Sequence, residues 1–305
     1  VADAGPGEAR VNVSAFGLNR VETYFRMGAF GTTEWPSKIG YEAAGIVESV
    51  GPGVTEVSVG DRVATMPGQS MEQYGTNAEV ILYPASELIR LPDGQPMDEA
   101  AASWMQYLTA YGLIGIGNIQ RGDNVIITAA SSSVGLAAIA IAKASGATAI
   151  AVTRGQSKTD ALKAQGADHV IVSDEQSVAD TVLSITGGQG ARILFDAVAG
   201  EGISLLLTAL CPGGIAIVYG ALAGDSCTLP IQLAMGYNLT VRGYAMNFLM
   251  ADPSMRAAAI DYIKNGINSG ALKPVIDKKF PLENIVDAHR YLESNQQLGK
   301  IIVEV

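Results

Sequence analysis

Residues 124–143 read NVIITAASSSVGLAAIAIAK, an apolar stretch, a turn of small residues and then a helical pattern. A strand that delivers the chain to a helix N-terminus gathers unpaired backbone N–H groups and the positive end of the helix dipole at one point, which suits a pyrophosphate. The hydroxyls of Ser131, Ser132 and Ser133 can donate to phosphate oxygens, and Val134 and Gly135 follow as the helix opens. The three glycine positions of the usual dinucleotide fingerprint hold Ala130, Ser132 and Gly135, so only the last glycine is kept. Small residues still allow close backbone approach. The competing reading is a plain strand–helix packing turn; the alternation of strands and helices that follows favours dinucleotide binding.

Selectivity depends on the end of the next strand, where a carboxylate about 20 residues on would accept from a ribose 2′-hydroxyl. Here the chain reads AVTRGQSK, with Thr153 and Arg154 at the strand end, Lys158 close behind and no carboxylate. A cation and hydroxyls at that point favour a 2′-phosphate, because charge-assisted bonds from Arg and Lys to phosphate are strong. The expected cofactor is NADP(H). The alternative leaves Arg154 and Lys158 as solvated surface charges. Two further glycine-rich segments, FDAVAG and CPGGIAIVYGALAG, fall at the ends of the fourth and fifth strands, where ligands bind near a reversal of strand order. Gly220 is therefore placed beside the cofactor, with simple turn geometry as the other reading.

These residues need a scaffold. Strands are expected near Asn124–Thr128, Thr148–Thr153, His169–Val172, Arg192–Ala197, Gly214–Tyr219 and Leu239–Tyr244, with helices starting near Val134, Ser157, Ser177 and Gly202 between the first five. Such alternation requires crossovers and a parallel sheet covered on both faces. The first hundred residues differ: short alternating stretches at Arg10–Ala15, Gly45–Val50, Arg62–Ala64 and Glu79–Leu82 lie between turn signals such as Gly51-Pro52-Gly53 and Pro92-Asp93-Gly94. The fold class is α/β, a doubly wound parallel sheet beside a mostly β domain. The expected division is a β-rich domain over 1–102, completed by 246–305, and a nucleotide-binding domain over 103–245. The apolar strand Lys300–Val305 should close an edge of the β-rich domain.

Twenty basic against 30 acidic residues give a net charge of −10, which argues against nucleic acid or an anionic membrane as partner. With 48% hydrophobic and 16% charged residues, no apolar run long enough to span a bilayer and no signal-like N-terminus, cytoplasmic residence is expected. The chain opens on Val close to its first strand, so residues upstream of Val1 are expected. Two cysteines, Cys211 and Cys227, make neither a disulfide framework nor a four-thiolate zinc site. His169 and His289 read as structural. The strand Leu239–Tyr244 should form a sheet edge, and an exposed edge invites a second copy, hence an expected homodimer.

The order GEARVNVSAFGLN, PSKIGYEAAGIVESVGPGV, VGDRVA, YLTAYG and the closing LGKIIVEV resembles the medium-chain dehydrogenase/reductase superfamily over nearly the whole chain, and within it the zinc-independent quinone oxidoreductase branch. The resemblance implies a GroES-like catalytic domain beside a Rossmann domain. It places the family's zinc-ligand positions at Asn19 in GLNRVE, Tyr41 in GYE and Met105 in WMQYLTAYG, none an ordinary zinc ligand; a four-cysteine lobe is missing too. It implies no zinc. Thr109, in TAYG, would hold the nicotinamide carboxamide or ribose, and Gly299-Lys300 would lie near the cofactor, a phosphate contact or a solvated lysine.

Without a metal the acceptor must stabilise its own charge. An alkoxide approaches the basicity of hydroxide, with water at pKa ~15.7, whereas a quinone leaves a phenolate-like oxygen at pKa ~10; at 1.36 kcal/mol per unit the gap is about 8 kcal/mol. The resemblance thus implies a quinone or α,β-unsaturated carbonyl as substrate, with Asn19 and Tyr41, or nearby backbone N–H groups, donating to its oxygen. Asn19 capping a helix at Val21, and Tyr41 as a packing aromatic, are the alternatives. Two other functions stay open: an enoyl-thioester or alkene reductase, for which a Tyr of related enzymes is matched here by Phe30, and a non-catalytic, crystallin-like NADPH-binding protein.

Overall fold

The computed structural model describes residues 2–29 and 34–305, which form two units, residues 1–106 with 273–305 and residues 107–272. The first unit opens with β1 (Glu8–Gly17), β2 (Glu42–Val50), β3 (Arg62–Thr65), β4 (Val80–Pro84) and β5 (Leu88–Arg90). Alternation of buried and exposed residues along β1 places Val11, Val13 and Phe16 in a core with Val47, Val63, Ile81 and Tyr83. β1 pairs antiparallel with β2 along one edge.

The second unit contains β6 (Asn124–Ile127), β7 (Thr148–Thr153), β8 (His169–Val172), β9 (Ala191–Asp196), β10 (Leu210–Val218) and β11 (Thr240–Gly243), all parallel. Their order, β11-β10-β9-β6-β7-β8, reverses between β6 and β9, the doubly wound arrangement that opens a crevice at the carboxyl ends of those two strands. The reason is visible in composition: Ile126, Ile150, Val152, Ile171 and Leu194 are buried on one face of the sheet and Val125, Ile127, Ile193 and Phe195 on the other, as crossover helices demand. The strands expected for this sheet are all present, within a residue or two except at β10, whose start is four residues earlier.

β12 (Ile276–Pro281) and β13 (Lys300–Glu304) then return to the first unit. β13 pairs antiparallel with β1, Ala15 opposite Glu304, on the same edge that β4 covers further upstream, where Glu8 faces Pro84. The expected edge closure by the last strand is observed. The returning segment is shorter than expected, starting at Lys273 rather than 246. Helix Pro253–Asn268 stays with the second unit because Tyr262 packs on Tyr111, ring centroids 5.7 Å apart, and Tyr244 donates to Leu108 O at 2.9 Å. Among the described residues no helix is long and apolar enough to cross a membrane.

Candidate active site

The candidate residues fall into two groups, one in each unit. In the second unit the loop after β6 ends at helix Ser133–Ala144, with Ser132 as N-cap: its Oγ accepts from Gly135 N at 3.0 Å. The first intrahelical bond runs from Leu136 N to Ser132 O, so the N–H groups of Ser133 and Val134 belong to the unpaired first turn. Ser131 to Val134 are partly exposed and Gly135 is buried, and a Cβ on Gly135 would lie 2.6 Å from the carbonyl oxygens of Ala129 and Ala130. Glycine is thus required at the kept fingerprint position, for close packing of loop on helix.

Lys158, in the short 3-10 turn Gln156–Lys158, donates from Nζ to Ser131 Oγ at 3.1 Å. The structure thereby brings one cation of the expected selectivity cluster to the phosphate loop. Arg154 is exposed and Thr153 is buried at the end of β7. Across the crevice, Asp196 at the end of β9 is fully buried; it accepts from Thr128 Oγ1 at 2.5 Å and from the N–H groups of Val198 and Ala199, while Ala197 N donates to Thr128 Oγ1. This clamp ties the exits of β6 and β9 together. Gly220 lies against that exit, since a Cβ there would meet Ala197 O at 2.7 Å. The phenol oxygen of Tyr219, whose ring stacks on Phe195 at 4.2 Å between centroids, is buried beside Ser132. A loop that only glycine fits, an open helix N-terminus and a lysine beside it suit a phosphate-bearing cofactor. Thr109 is buried in helix Trp104–Ala110.

In the first unit, Asn19 precedes helix Arg20–Arg26. Its backbone N–H donates to Glu22 Oε1 at 3.2 Å, the carboxylate half of a capping box. Its side chain does something else: Nδ2 donates to Gly17 O and Glu42 Oε1 at 3.2 Å each and to Glu22 Oε1 at 3.4 Å, and Oδ1 accepts from Lys300 Nζ at 2.7 Å. Lys300 is also paired with Glu42, both 1% exposed, and Glu42 Oε2 accepts from Met105 N at 3.0 Å. Lys300 is therefore neither solvated nor open to a phosphate: its ammonium is buried between Asn19 and Glu42. Gly17 makes room, because a Cβ there would lie 2.5 Å from Lys300 Cε.

Tyr41, 7% exposed, packs with Phe25 and Met71, as its packing reading has it. Burial raises its pKa, helped by the negative charges of Glu22 and Glu72, so the hydroxyl stays protonated and can donate. Phe30 lies outside the described residues. His289 sits buried in helix Ile285–Ser294 with its pKa lowered by burial and His169 is exposed at the head of β8.

The three zinc-ligand positions do not fit the metal: Asn19 has its amide fully bonded, Tyr41 lies in an apolar cluster and Met105 offers a thioether. Among the described residues no group of three or more His, Cys, Asp or Glu could hold a metal ion. Glu22, Glu42, Thr128 and Asp196 were not singled out as functional from sequence, and Lys300 was read only as a phosphate contact or a solvated lysine. The spacing Asn19-x-x-Glu22 is a capping-box signature and could have drawn attention to Glu22; nothing local marks Lys300 as buried.

Residues 165–303 match a family described as "Zinc-binding dehydrogenase" and residues 5–93 one described as "Alcohol dehydrogenase GroES-like domain". The 2-haloacrylate reductase of Burkholderia sp is 30% identical over 311 residues, covering 99% of this chain and 92% of that protein. The structure of Escherichia coli quinone oxidoreductase complexed with NADPH superposes with a TM-score of 0.92 at 28% identity, covering 100% of this chain and 94% of that one. An NAD-dependent alcohol dehydrogenase superposes with a TM-score of 0.91 at 29% identity, covering 100% and 94%. With its doubly wound sheet and its β unit completed by the last strand, the chain belongs to the medium-chain dehydrogenase/reductase superfamily, in the quinone oxidoreductase branch.

Proposed function

We propose that this protein uses NADPH to reduce a quinone or another α,β-unsaturated carbonyl without a zinc ion. The observation that carries the reading is the replacement of all three zinc-ligand positions by Asn19, Tyr41 and Met105, which leaves no Lewis acid for a simple ketone. NADPH, when bound, supplies a hydride. The N–H groups of Ser133 and Val134, with the hydroxyls of Ser131 to Ser133, hold its pyrophosphate, and Lys158 with Arg154 receives its 2′-phosphate. Thr153, Gly220 and Thr109 line the remainder of its site. Tyr41, whose phenol keeps its proton, donates a hydrogen bond to the acceptor oxygen as charge develops there. Asn19, whose amide is committed to Lys300, Glu42 and Gly17, shapes this end of the site. Solvent completes protonation.

Kinetics with quinones, enones, 2-haloacrylate and unactivated ketones test this directly. Turnover of the conjugated acceptors with NADPH supports it, and turnover of unactivated ketones overturns it. Alkene reduction is the second reading, favoured by the similarity to a 2-haloacrylate reductase, and preference for the acrylate over quinones would establish it. Binding of NADPH with no turnover at all would point to the crystallin-like alternative.

The protein also pairs with a second copy through β11. All four of its residues are exposed, its outer edge has no ladder partner among the described residues, and the neighbouring helix Ile231–Gly236 exposes Ile231 and Met235. An open edge flanked by apolar side chains is a pairing surface. Val241→Pro, which cannot donate to a ladder across that edge, is expected to convert a dimer to a monomer in size-exclusion chromatography with light scattering.

A further inference from the structure

Glu22 is fully buried. Its carboxyl meets Asn19 N and Nδ2 at Oε1, 3.2 and 3.4 Å away, and Asn77 Nδ2 at Oε2, 3.4 Å away. Donors to an ionised carboxylate normally close to about 2.7–2.9 Å, so these contacts are long for a charge. The charged groups facing Glu22 are Lys300 on β13 and Glu42 on β2, with the phenol of Tyr41 just before β2. Lys300 is already paired with Glu42. An ionised Glu22 would therefore leave two carboxylates sharing one ammonium away from water, which is costly. In addition, Asn77 Oδ1, on the amide that meets Oε2, is a buried acceptor without a partner. Turning that amide over would bring Oδ1 to Oε2, where a carboxylate could not serve it and an O–H could. Burial pushes the Glu22 carboxyl up to about 7, against the pull of Lys300.

We propose that Glu22 is a proton-holding positioning residue: as a neutral acid it leaves Lys300 and Glu42 to clamp the Asn19 amide, and on ionisation its second negative charge draws Lys300 away from Asn19 and slackens the acceptor end of the site. The released proton goes to solvent, and no other group changes state. The effect on turnover rests on the reading of Asn19 and Tyr41 as that acceptor end; the proton itself does not.

Infrared difference spectra across a pH titration read the proton directly. The wild type is expected to keep a protonated-carboxyl signal at pH 6 that disappears with a midpoint near 7, and Glu22→Gln to lack it. Absence of that signal in the wild type overturns the proposal, and this measurement stands even if the variant does not fold. A signal present in a protein that reduces nothing would sink the reductase reading and leave proton-holding intact. In the active enzyme, kcat/KM should fall from pH 6 to pH 8.5 by up to about thirtyfold, the change in the neutral fraction of a group titrating near 7. Glu22→Gln, a permanent mimic of the neutral acid, should flatten that limb. An unaltered limb in Glu22→Gln overturns the positioning role. Since the carboxyl is raised in the folded state, the stability it contributes is present at acidic pH and lost as pH rises through about 7. The Tm of Glu22→Gln should accordingly exceed that of wild type at pH 8.5, with this advantage shrinking steadily below pH 7 and gone near pH 4.5.

Discussion

Lys300→Met is expected to lower the stability of the unit formed by residues 1–106 and 273–305 by about 3–5 kcal/mol in urea unfolding, the cost of leaving a buried partner charge uncompensated. The partner is Glu42, 1% exposed, whose remaining contacts are Asn19 Nδ2 and Met105 N. Two neutral donors do not replace an ammonium. The same substitution strips Asn19 Oδ1 of its donor, so the residue loses its orientation as well. Lys300→Met combined with Glu42→Leu should recover much of the loss, because an apolar pair of similar volume commonly matches a buried ion pair in stability. The double variant separates charge from shape: strong coupling between the two sites identifies the pair as a unit. A loss below about 1 kcal/mol for Lys300→Met would mean that water reaches Glu42, contrary to its burial.

Lys158→Ala is expected to weaken NADPH by about ten- to a hundredfold and to leave NADH little changed, as measured by fluorescence titration. The range follows from about 1.5–3 kcal/mol for a hydrogen bond to a charged group. Lys158 is half-buried and already oriented toward Ser131 on the phosphate loop, so little ordering remains to be done when a phosphate arrives. Arg154, by contrast, is exposed. A solvated pair contributes about 0.2–1 kcal/mol, so Arg154→Ala should shift NADPH affinity by no more than about fivefold. The two variants thus rank the cations. Equal loss of NADH and NADPH affinity in Lys158→Ala would place the lysine on the pyrophosphate and remove the basis for selectivity.

The parallel sheet was legible because buried strands such as Val125–Ile127 and Ala149–Val152 carry their apolar character on both faces and are punctuated by turns. The phosphate loop was legible for the same reason: small residues and a capping serine are local signals. Strand β12, IDKKFP, went unread, since Asp277, Lys278 and Lys279 are exposed and only Phe280 reports a core. The polar cluster was hidden for a different reason. Whether Lys300 is solvated or buried is decided by Asn19 and Glu42, 281 and 258 residues away, and no periodicity encodes that. Asn19 itself was read both as a cap and as a site residue: its backbone joins the cap, while its amide enters the cluster with Lys300 and Glu42.

The pairing of β13 with β1 also sets the order in which the chain can mature during synthesis. Residues 107–272 leave the ribosome as one continuous piece and can condense while the rest is still being made. The first unit must wait. Until residues 300–304 emerge, β1 has β2 on one edge but no neighbour on the other along Ala15–Gly17, and the carboxylate of Glu42 has no counter-ion, so the unit that starts first is the later of the two to become native. For that interval its open sheet edge is a natural client for chaperones, and a nascent chain arrested shortly before Lys300 should remain protease-sensitive over residues 1–106 while resisting cleavage over 107–272.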